Sequence, residues 1–425
     1  MVFNPQGRQE FNGVRGQDPL VVLTLAGKEI LFAERYTVKV SVLTQPAAFS
    51  LTLGTSKAVK ELLELVTPHT PFALSVNGRQ VMQGRLDGLS TSGGPGTVQV
   101  EGRDALAPLH DAYLRQEETY KDDTYASLVR KVMDTVGLKD TKLVFSNKAN
   151  REAVVGLASQ AGGTRAVESL SANGGAGGQF QKHFQSQLGE RAYEFLKRHL
   201  DRAGLFLWAA ANGDYILSEP NPNQAPLYLI QRSDGATPEF SDIEDVSYQN
   251  RTTERFSEVF VYTHGELKKA GRGKTIASFK DEEMIAWGIN RPMILRDVNA
   301  DSAAKATFMA KRKIAESRRA GWKLSYTLAG HTTGSPQAVA GSRSADSPVR
   351  PLWYPDTIVR VDDARLGIAG EFWIEAVTYQ CGPQATTLVE LMRVEDLVFG
   401  ETPPTPPVPP RAPPGPGELP VDLAI

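Results

Sequence analysis

Apolar residues recur every three or four positions from Ala192 to Ala203, so they share one face of a predicted helix. Gly204 follows the last of them, where a helix readily ends in the left-handed conformation. Two short apolar runs then flank the turn sequence Asn212-Gly213-Asp214 and predict a hairpin. Residues 189–227 are therefore predicted to form a helix–hairpin unit. Its predicted structural core consists of Phe195, Leu196, Leu200, Phe206 and Trp208.

Upstream, apolar residues alternate with a period of two, which is typical of strands. Residues 19–105 are predicted to form a first small β-barrel or sandwich, with five or six strands and a short helix at 58–66. Asn77-Gly78, the strongest hairpin dipeptide, lies between two of these runs. Residues 106–188 are predicted to form a helical linker, with a Gly-rich insertion near 160–180. Its main helix would present Leu128, Val129, Val132, Met133 and Val136 on one face and end at Gly137.

The strand pattern returns in residues 228–400, which are predicted to form a second β-domain with an inserted helix ending at Gly321. Residues 268–284 are predicted to form an excursion from a hairpin tip. A polar arm at 1–18 precedes these regions. A Pro-rich tail at 401–425, which is predicted to be an extended polyproline II segment, follows them. The predicted class is α+β and β-rich, and the similar make-up of the two β-regions favours a duplicated barrel.

Composition narrows the function classes. The 425 residues are 41% hydrophobic and 23% charged, with a net charge of -2, which is typical of globular proteins. That balance gives no basic field for specific nucleic-acid binding, and no run approaches the ~18 apolar residues of a membrane span. Cys381 is the only cysteine, so an intrachain disulfide and a Cys-based zinc site are both excluded. The polar N-terminus carries no signal-peptide pattern, which predicts assembly in the cytoplasm.

None of the candidate binding or catalytic motifs has the residues and spacing that its chemistry requires. The sequence at 271–275, GRGKT, ends like a phosphate-binding loop, but the glycine that the motif requires is replaced by Lys268. The six histidines show no metal-ligand spacing, and His199 lies on the apolar face of the predicted helix, where a packed, hydrogen-bonded core histidine is expected. Cys381 has no nucleophile motif around it. We therefore predict no catalytic, cofactor-binding or metal-binding residues and no small-molecule substrate.

Three adjacent carboxylate pairs have simpler interpretations than catalysis. Neighbouring residues point in different directions on a helix or a strand, so such a pair does not converge on one substrate. Asp122-Asp123 fits helix capping, Glu282-Glu283 a solvated helix surface, and Asp362-Asp363 a turn. The sequence thus predicts a protein that is not an enzyme.

Three segments resemble a known family. These are the helix–hairpin at 192–219, the segment ETYKDDTYASLVRKVMDTVGL at 118–138, and the closing strands at 357–380 and 386–397. Together they resemble the baseplate hub proteins of contractile phage tails, the late-control-D and Mu-type hub family, which is related to the spike hub modules of injection systems. The Gly-rich insertion and the Pro-rich tail depart from that pattern.

The resemblance implies a homotrimer in which each subunit supplies two tube-type β-barrel domains, with helical and helix–hairpin domains between them. The trimer would join a hexameric tail tube to a trimeric central spike in the virion tail, after assembly in the bacterial host cytoplasm. Other partners would be the baseplate wedge proteins and, as a further candidate, the tape-measure protein. The strand edges and apolar faces of the strands around Val40 and Val359 would be buried between subunits.

Two alternatives stay open at this stage. The first is a hub with peptidoglycan-degrading activity, although the stretch at 146–188 is too short for a catalytic domain. The second is a cell-surface-binding β-module, for which Trp353-Tyr354 is the one aromatic candidate in a predicted loop. A buried or interface role is the simpler interpretation of that pair.

Overall fold

The computed structural model describes most of the chain between residues 21 and 400. The described residues are 21–25, 27–32, 35–54, 66–67, 69–91, 97–114, 119–121, 124–146, 183–234, 243–262, 275–296, 303–333 and 351–400. The arm at 1–18, almost all of the predicted helix at 58–66, the Gly-rich insertion at 160–180, Asp122-Asp123 and the tail at 401–425 lie outside them.

The N-terminal region is made of strands whose buried and exposed side chains alternate. They are β1 (Val21–Leu25), β2 (Lys28–Phe32), β3 (Arg35–Ser41), β4 (Ala48–Gly54), β5 (Pro71–Val76), β6 (Arg79–Thr91) and β7 (Thr97–Asp104). The β5–β6 hairpin turns at Asn77 and Gly78, whose φ angles of 48° and 74° are both positive. Such a two-residue loop requires positive φ at both positions, so this part of the sequence prediction is confirmed.

The middle of the chain packs helices against short strands. They are α1 (Ala107–Asp111), β8 (Thr119–Lys121), α2 (Tyr125–Thr135), β9 (Leu143–Phe145), β10 (His183–Gln185), α3 (Ala192–Ala203), β11 (Phe206–Ala209) and β12 (Tyr215–Ser218). Thr124 caps α2 by accepting a hydrogen bond from the N–H of Ser127. Gly204 ends α3 at φ 69°, ψ 32°, and β11 pairs with β12 across the predicted turn. The helix followed by a hairpin is thus confirmed.

The C-terminal region holds the remaining elements. They are β13 (Tyr228–Arg232), β14 (Ile243–Asn250), β15 (Glu258–Tyr262), β16 (Thr275–Lys280), α4 (Glu282–Ala286), β17 (Pro292–Arg296), α5 (Ala303–Gly321), β18 (Trp322–Ala329), β19 (Ile358–Asp363), β20 (Ile368–Cys381), β21 (Ala385–Arg393) and a 3-10 helix (Val394–Asp396). The hairpin-tip interpretation of 268–284 is wrong for 275–284, where β16 and most of α4 form. Ala277 and Phe279 alternate with polar residues along β16 and pack under α5. The Lys- and Gly-rich residues just before β16 make this strand pattern hard to recognise in the sequence.

A 13-stranded sheet runs through both β-regions. Its main path has the order β14-β18-β21-β20-β3-β4-β7-β6-β5-β1-β2, and β13 and β19 join it beside β20. One hydrophobic cluster extends from Val21 to Leu391 beneath this sheet. The described strands do not close into a barrel, so the fold is β-rich α+β, and the two-barrel arrangement and its domain boundaries stay predictions.

Candidate functional site

The two β-regions meet where β3 pairs with β20, and we call this pairing the seam. Six residue pairs form it in antiparallel register, from Tyr36 opposite Cys381 to Ser41 opposite Ala376. Val40 and Val359 are 6% and 0% exposed in the single chain, and both belong to the cluster shared by the two regions. The expectation that their apolar faces are buried between subunits is therefore wrong. One chain buries both of them by itself.

A buried polar network spans the seam. The Oη of Tyr36 lies 2.7 Å from Nε2 of His331, and Nδ1 of His331 lies 2.9 Å from Oγ1 of Thr387. Thr387 donates its own hydroxyl proton to the carbonyl of Gly330, so it accepts from Nδ1–H of the histidine. Nε2 is then the acceptor for Tyr36. Burial lowers the pKa of His331 to about 4, which keeps the ring neutral at pH 7.

The predicted core residues of the helix–hairpin unit divide between two clusters. Phe195, Leu196 and Leu200 are at most 2% exposed and pack with residues of α2 in the middle of the chain. Phe206 and Trp208 are half-buried on the opposite side of the hairpin, where they pack against the end of β3 and the residues after β21. The Phe206 ring meets Phe399 edge to face, with centroids 4.8 Å apart. The hairpin therefore connects the helical region to the large sheet.

His199 and Trp353 are both buried, as the simpler interpretations predicted, but Nε2 of His199 has no hydrogen-bond partner among the described residues. His199 is 6% exposed, with its ring 4.9 Å from that of Phe184 and 5.0 Å from that of Phe195. Trp353 is 3% exposed and packs on Tyr228. In the described part of the chain, no cluster of three or more His, Cys, Asp or Glu side chains is placed to hold a metal ion.

A buried ion-pair network, not foreseen from the sequence, joins the three-stranded sheet β16-β15-β17 to the large sheet. Arg255 has no exposed side-chain surface and lies 2.7 Å from both Asp281 Oδ2 and Glu283 Oε2. Glu283 also accepts from Arg393 of β21, and Asp281 from Arg318 of α5. Burial alone would raise the pKa of Asp281, but hydrogen bonds from the two arginines hold it below its usual value.

Of the three adjacent carboxylate pairs, Glu282-Glu283 and Asp362-Asp363 lie within the described residues. Glu282 is exposed, whereas Glu283 belongs to the ion-pair network, so the solvated-surface interpretation fits only the first of them. Asp363 is 1% exposed and accepts hydrogen bonds from the N–H groups of Arg365 and Leu366, which fits the predicted turn. Neither pair converges on a cleft as a catalytic pair would.

Strand edges and apolar side chains are the surfaces that remain for contacts with other molecules. The large sheet ends in β14 on one side and β2 on the other, and neither outer edge is paired within the described residues. Large apolar side chains are exposed near the edges of the smaller sheets as well, including Val144 and Phe145 at 45% and Ile294 at 62%. Unpaired edges and exposed apolar residues together mark contact surfaces. None of the described helices combines the length and apolar character of a membrane span.

Solved structures of tail proteins share this fold. The 43 kDa tail protein of prophage MuSo2 from Shewanella oneidensis aligns with 91% of this chain and 100% of its own, with a TM-score of 0.64 and 16% identity. A tail protein from Neisseria meningitidis MC58 aligns with 90% of this chain and 99% of its own, with a TM-score of 0.65 and 19% identity. No protein-family model and no curated protein sequence matches the chain. The predicted resemblance to phage tail proteins is confirmed at the level of the fold.

Proposed function

We propose that this protein is the structural baseplate hub of a contractile phage tail or of a related injection device. Three copies form an adapter between a hexameric tail tube and a trimeric central spike. The observation that carries the proposal is the tail-protein fold, which extends over nine tenths of the chain. The seam supports it, because β3 and β20 hold two strand-rich regions side by side within one subunit.

Two β-regions per subunit would let a trimer match the symmetry of a hexameric tube. A trimer has three equivalent positions, whereas a hexameric tube presents six. Two tube-type domains per subunit, at 19–105 and 228–400, give six similar units in a ring. The unpaired edges of β14 and β2 lie at the two ends of the sheet, where neighbouring subunits can add to it.

The proposed partners are the tube protein, the spike protein, the wedge proteins of the baseplate and the tape-measure protein. The protein is assembled in the bacterial host cytoplasm and carried in the virion tail. Its role in genome ejection is structural and not enzymatic, which fits described carboxylate pairs that serve in ion pairs and turns.

Mass in solution tests this proposal. Sedimentation equilibrium of the purified chain should give about 139 kDa, three times the 46.3 kDa of one chain. Electron-microscopic class averages should show a ring with pseudo-sixfold symmetry that binds the tube protein. A monomer that releases fragments from purified peptidoglycan, or one that binds cell surfaces without forming rings, contradicts the proposal.

A further inference from the structure

The free edge of β16 has a regular arrangement of backbone groups. Among the described residues, β16 pairs with β15 on one side and with nothing on the other. Asp281, directly after β16, donates its N–H to Ser257 before β15 at 2.9 Å. Backbone groups alternate in direction along an antiparallel strand, so those of Ser278 and Lys280 point away from β15. Within the described residues, the N–H and C=O groups of these two residues therefore have no strand partner at the edge.

A cavity of about 630 Å³ lies beside this free edge. Ser278 and Lys280 line it from the sheet, Lys311 and Arg318 from α5, and Asp396 from the 3-10 helix. Its apolar lining comes from Phe279, Ile314 and Ala315. Since α5 packs over β16 and β15, the helix and the free edge bound this cavity together, and we call it the groove.

Asp396 is the unusual member of this lining. It is 1% exposed, and its Oδ1 accepts no hydrogen bond from the part of the chain that the structure describes. Nη1 of Arg318 is 3.6 Å from this oxygen, which is an ion-pair distance but too long for a hydrogen bond. Burial, which the neighbouring arginines only partly offset, raises the pKa of Asp396 to about 6. A buried carboxylate oxygen without a donor is costly, so the site favours a ligand that supplies one.

We propose that this groove binds an extended segment of another protein chain as a fourth strand beside β16, with a Lys or Arg side chain of that segment reaching Asp396. The free edge recognises the backbone of the segment, as in other cases of strand addition. At the rim, Glu282 and Glu395 offset Lys280 and Lys311. Arg318 is already paired with Asp281 at 3.0 Å, so Oδ1 of Asp396 decides the preferred charge of the ligand. The proposal does not depend on the trimeric assembly described above.

The chain's own tail does not suit this groove. Residues 401–425 carry proline pairs at 403–404, 406–407, 409–410 and 413–414. Proline has no N–H to donate to a neighbouring strand, so this segment cannot complete a regular ladder with Ser278 and Lys280. The partner is therefore a segment that is free of such pairs and carries a basic side chain.

Binding of two blocked hexapeptides to the full-length protein tests the proposal. The first has the sequence TVRVTV, and the second has glutamine in place of its arginine. Calorimetry should show that wild-type protein prefers the arginine peptide by about tenfold or more, which is the effect of one charge-assisted hydrogen bond. The variant Asp396→Asn should lose that preference. Equal binding of the two peptides to the wild type overturns the role of Asp396.

The backbone part of the proposal has its own matched pair of variants. Ser278→Pro removes one outward N–H without touching the bonds to β15, and proline is tolerated at such an edge position. Ser278→Ala keeps the N–H and removes only the hydroxyl that donates to Glu258. The proline variant should bind the arginine peptide about tenfold more weakly than the alanine variant. Equal affinities overturn strand addition.

Hydrogen exchange at single amides gives a readout that does not depend on a variant. The arginine peptide should slow exchange at Ser278 and Lys280 and leave Phe279 unchanged, because the N–H of Phe279 already points to β15. Slow exchange at Ser278 and Lys280 in the free protein would show that the edge is already occupied and would overturn the proposal.

Discussion

The hydroxyl of Tyr36 and the ring of His331 form a hydrogen bond of 2.7 Å between residues 295 positions apart in the chain. Tyr36 lies in β3 of the N-terminal region, and His331 follows β18 of the C-terminal region. The bond therefore reinforces the seam at the end where Tyr36 lies opposite Cys381. Its loss should weaken the attachment of the two regions to each other.

The variant Tyr36→Phe should lower the free energy of unfolding by about 1–3 kcal/mol, because it leaves Nε2 of the buried His331 without a donor. Urea unfolding at pH 7.5 measures this. Tyr248→Phe on β14 is the control, since Tyr248 is 40% exposed and its hydroxyl can bond to water. Equal losses in the two variants would contradict a special role for the seam.

Acid should weaken the same network. The pKa of His331 is lowered by burial from 6.5 to about 4 in the folded protein. Between these values the unfolded chain binds more protons at this residue than the folded chain, so the stabilisation is present above pH 6.5 and is lost as the pH falls towards 4. We expect the difference in unfolding free energy between wild type and His331→Gln to be constant above pH 7. It should shrink by up to about 3 kcal/mol between pH 6.5 and 4. A difference that does not vary with pH would contradict this assignment.

Local patterns in the sequence were sufficient for the helix–hairpin unit and for the β5–β6 turn. Gly204 and Asn77-Gly78 specify backbone conformations that few other residues adopt, so neighbouring residues alone determine those turns. The seam could not be predicted in this way. Val40 and Val377 are paired across it, yet any two alternating apolar strands offer equally good partners.

The charged clusters were hidden from the sequence for a related reason. Arg255, Asp281 and Arg393 look like ordinary surface residues, and their separations show no periodicity. Only the packing of β15, α4 and β21 brings them together. Similarly, the absence of a hydrogen-bond donor at Asp396 depends on how the 3-10 helix meets α5, which no local pattern specifies.

Removal of the buried guanidinium of Arg255 should lower the stability of the fold severely. Arg255→Met leaves two carboxylates, Asp281 and Glu283, without their shared partner, and breaking a buried pair in this way costs about 3–5 kcal/mol. Lys313→Met is the control, because Lys313 and Glu316 form a partly exposed pair that contributes about 0–1 kcal/mol. Urea unfolding together with limited proteolysis of the β15–α5 region measures both effects. A loss for Arg255→Met as small as that of the control would show that the network is dispensable.

A charge placed in the helix–hairpin core should prevent folding. Leu200 is 2% exposed, so Leu200→Asp buries an unpaired carboxylate, which costs several kcal/mol. We expect no soluble assembled protein from this variant in sedimentation. Lys197→Asp on the exposed face of the same helix should assemble normally, because replacing the surface ion pair with Asp201 by a surface like-charge pair costs only about 1 kcal/mol or less. Normal sedimentation of Leu200→Asp would refute the assignment of this residue to the core.

Gly204 offers a test of the contact between the helix–hairpin unit and the end of the large sheet. A Cβ at this position would lie 2.8 Å from the backbone carbonyl of Phe399, in addition to the strain of a φ of 69°. Gly137 ends α2 with a similar φ of 84°, but a Cβ there would meet nothing within 4 Å. Both alanine variants carry the left-handed penalty of about 1–2 kcal/mol, and only Gly204→Ala must also displace the backbone at Phe399.

Urea unfolding should therefore show a larger loss for Gly204→Ala than for Gly137→Ala. Fluorescence of Trp208, compared with a Trp208→Phe background, should report the displaced contact in the first variant alone. If the two variants lose equal stability, the close approach at Phe399 does not constrain the fold, and the hairpin is held to the sheet by its aromatic contacts.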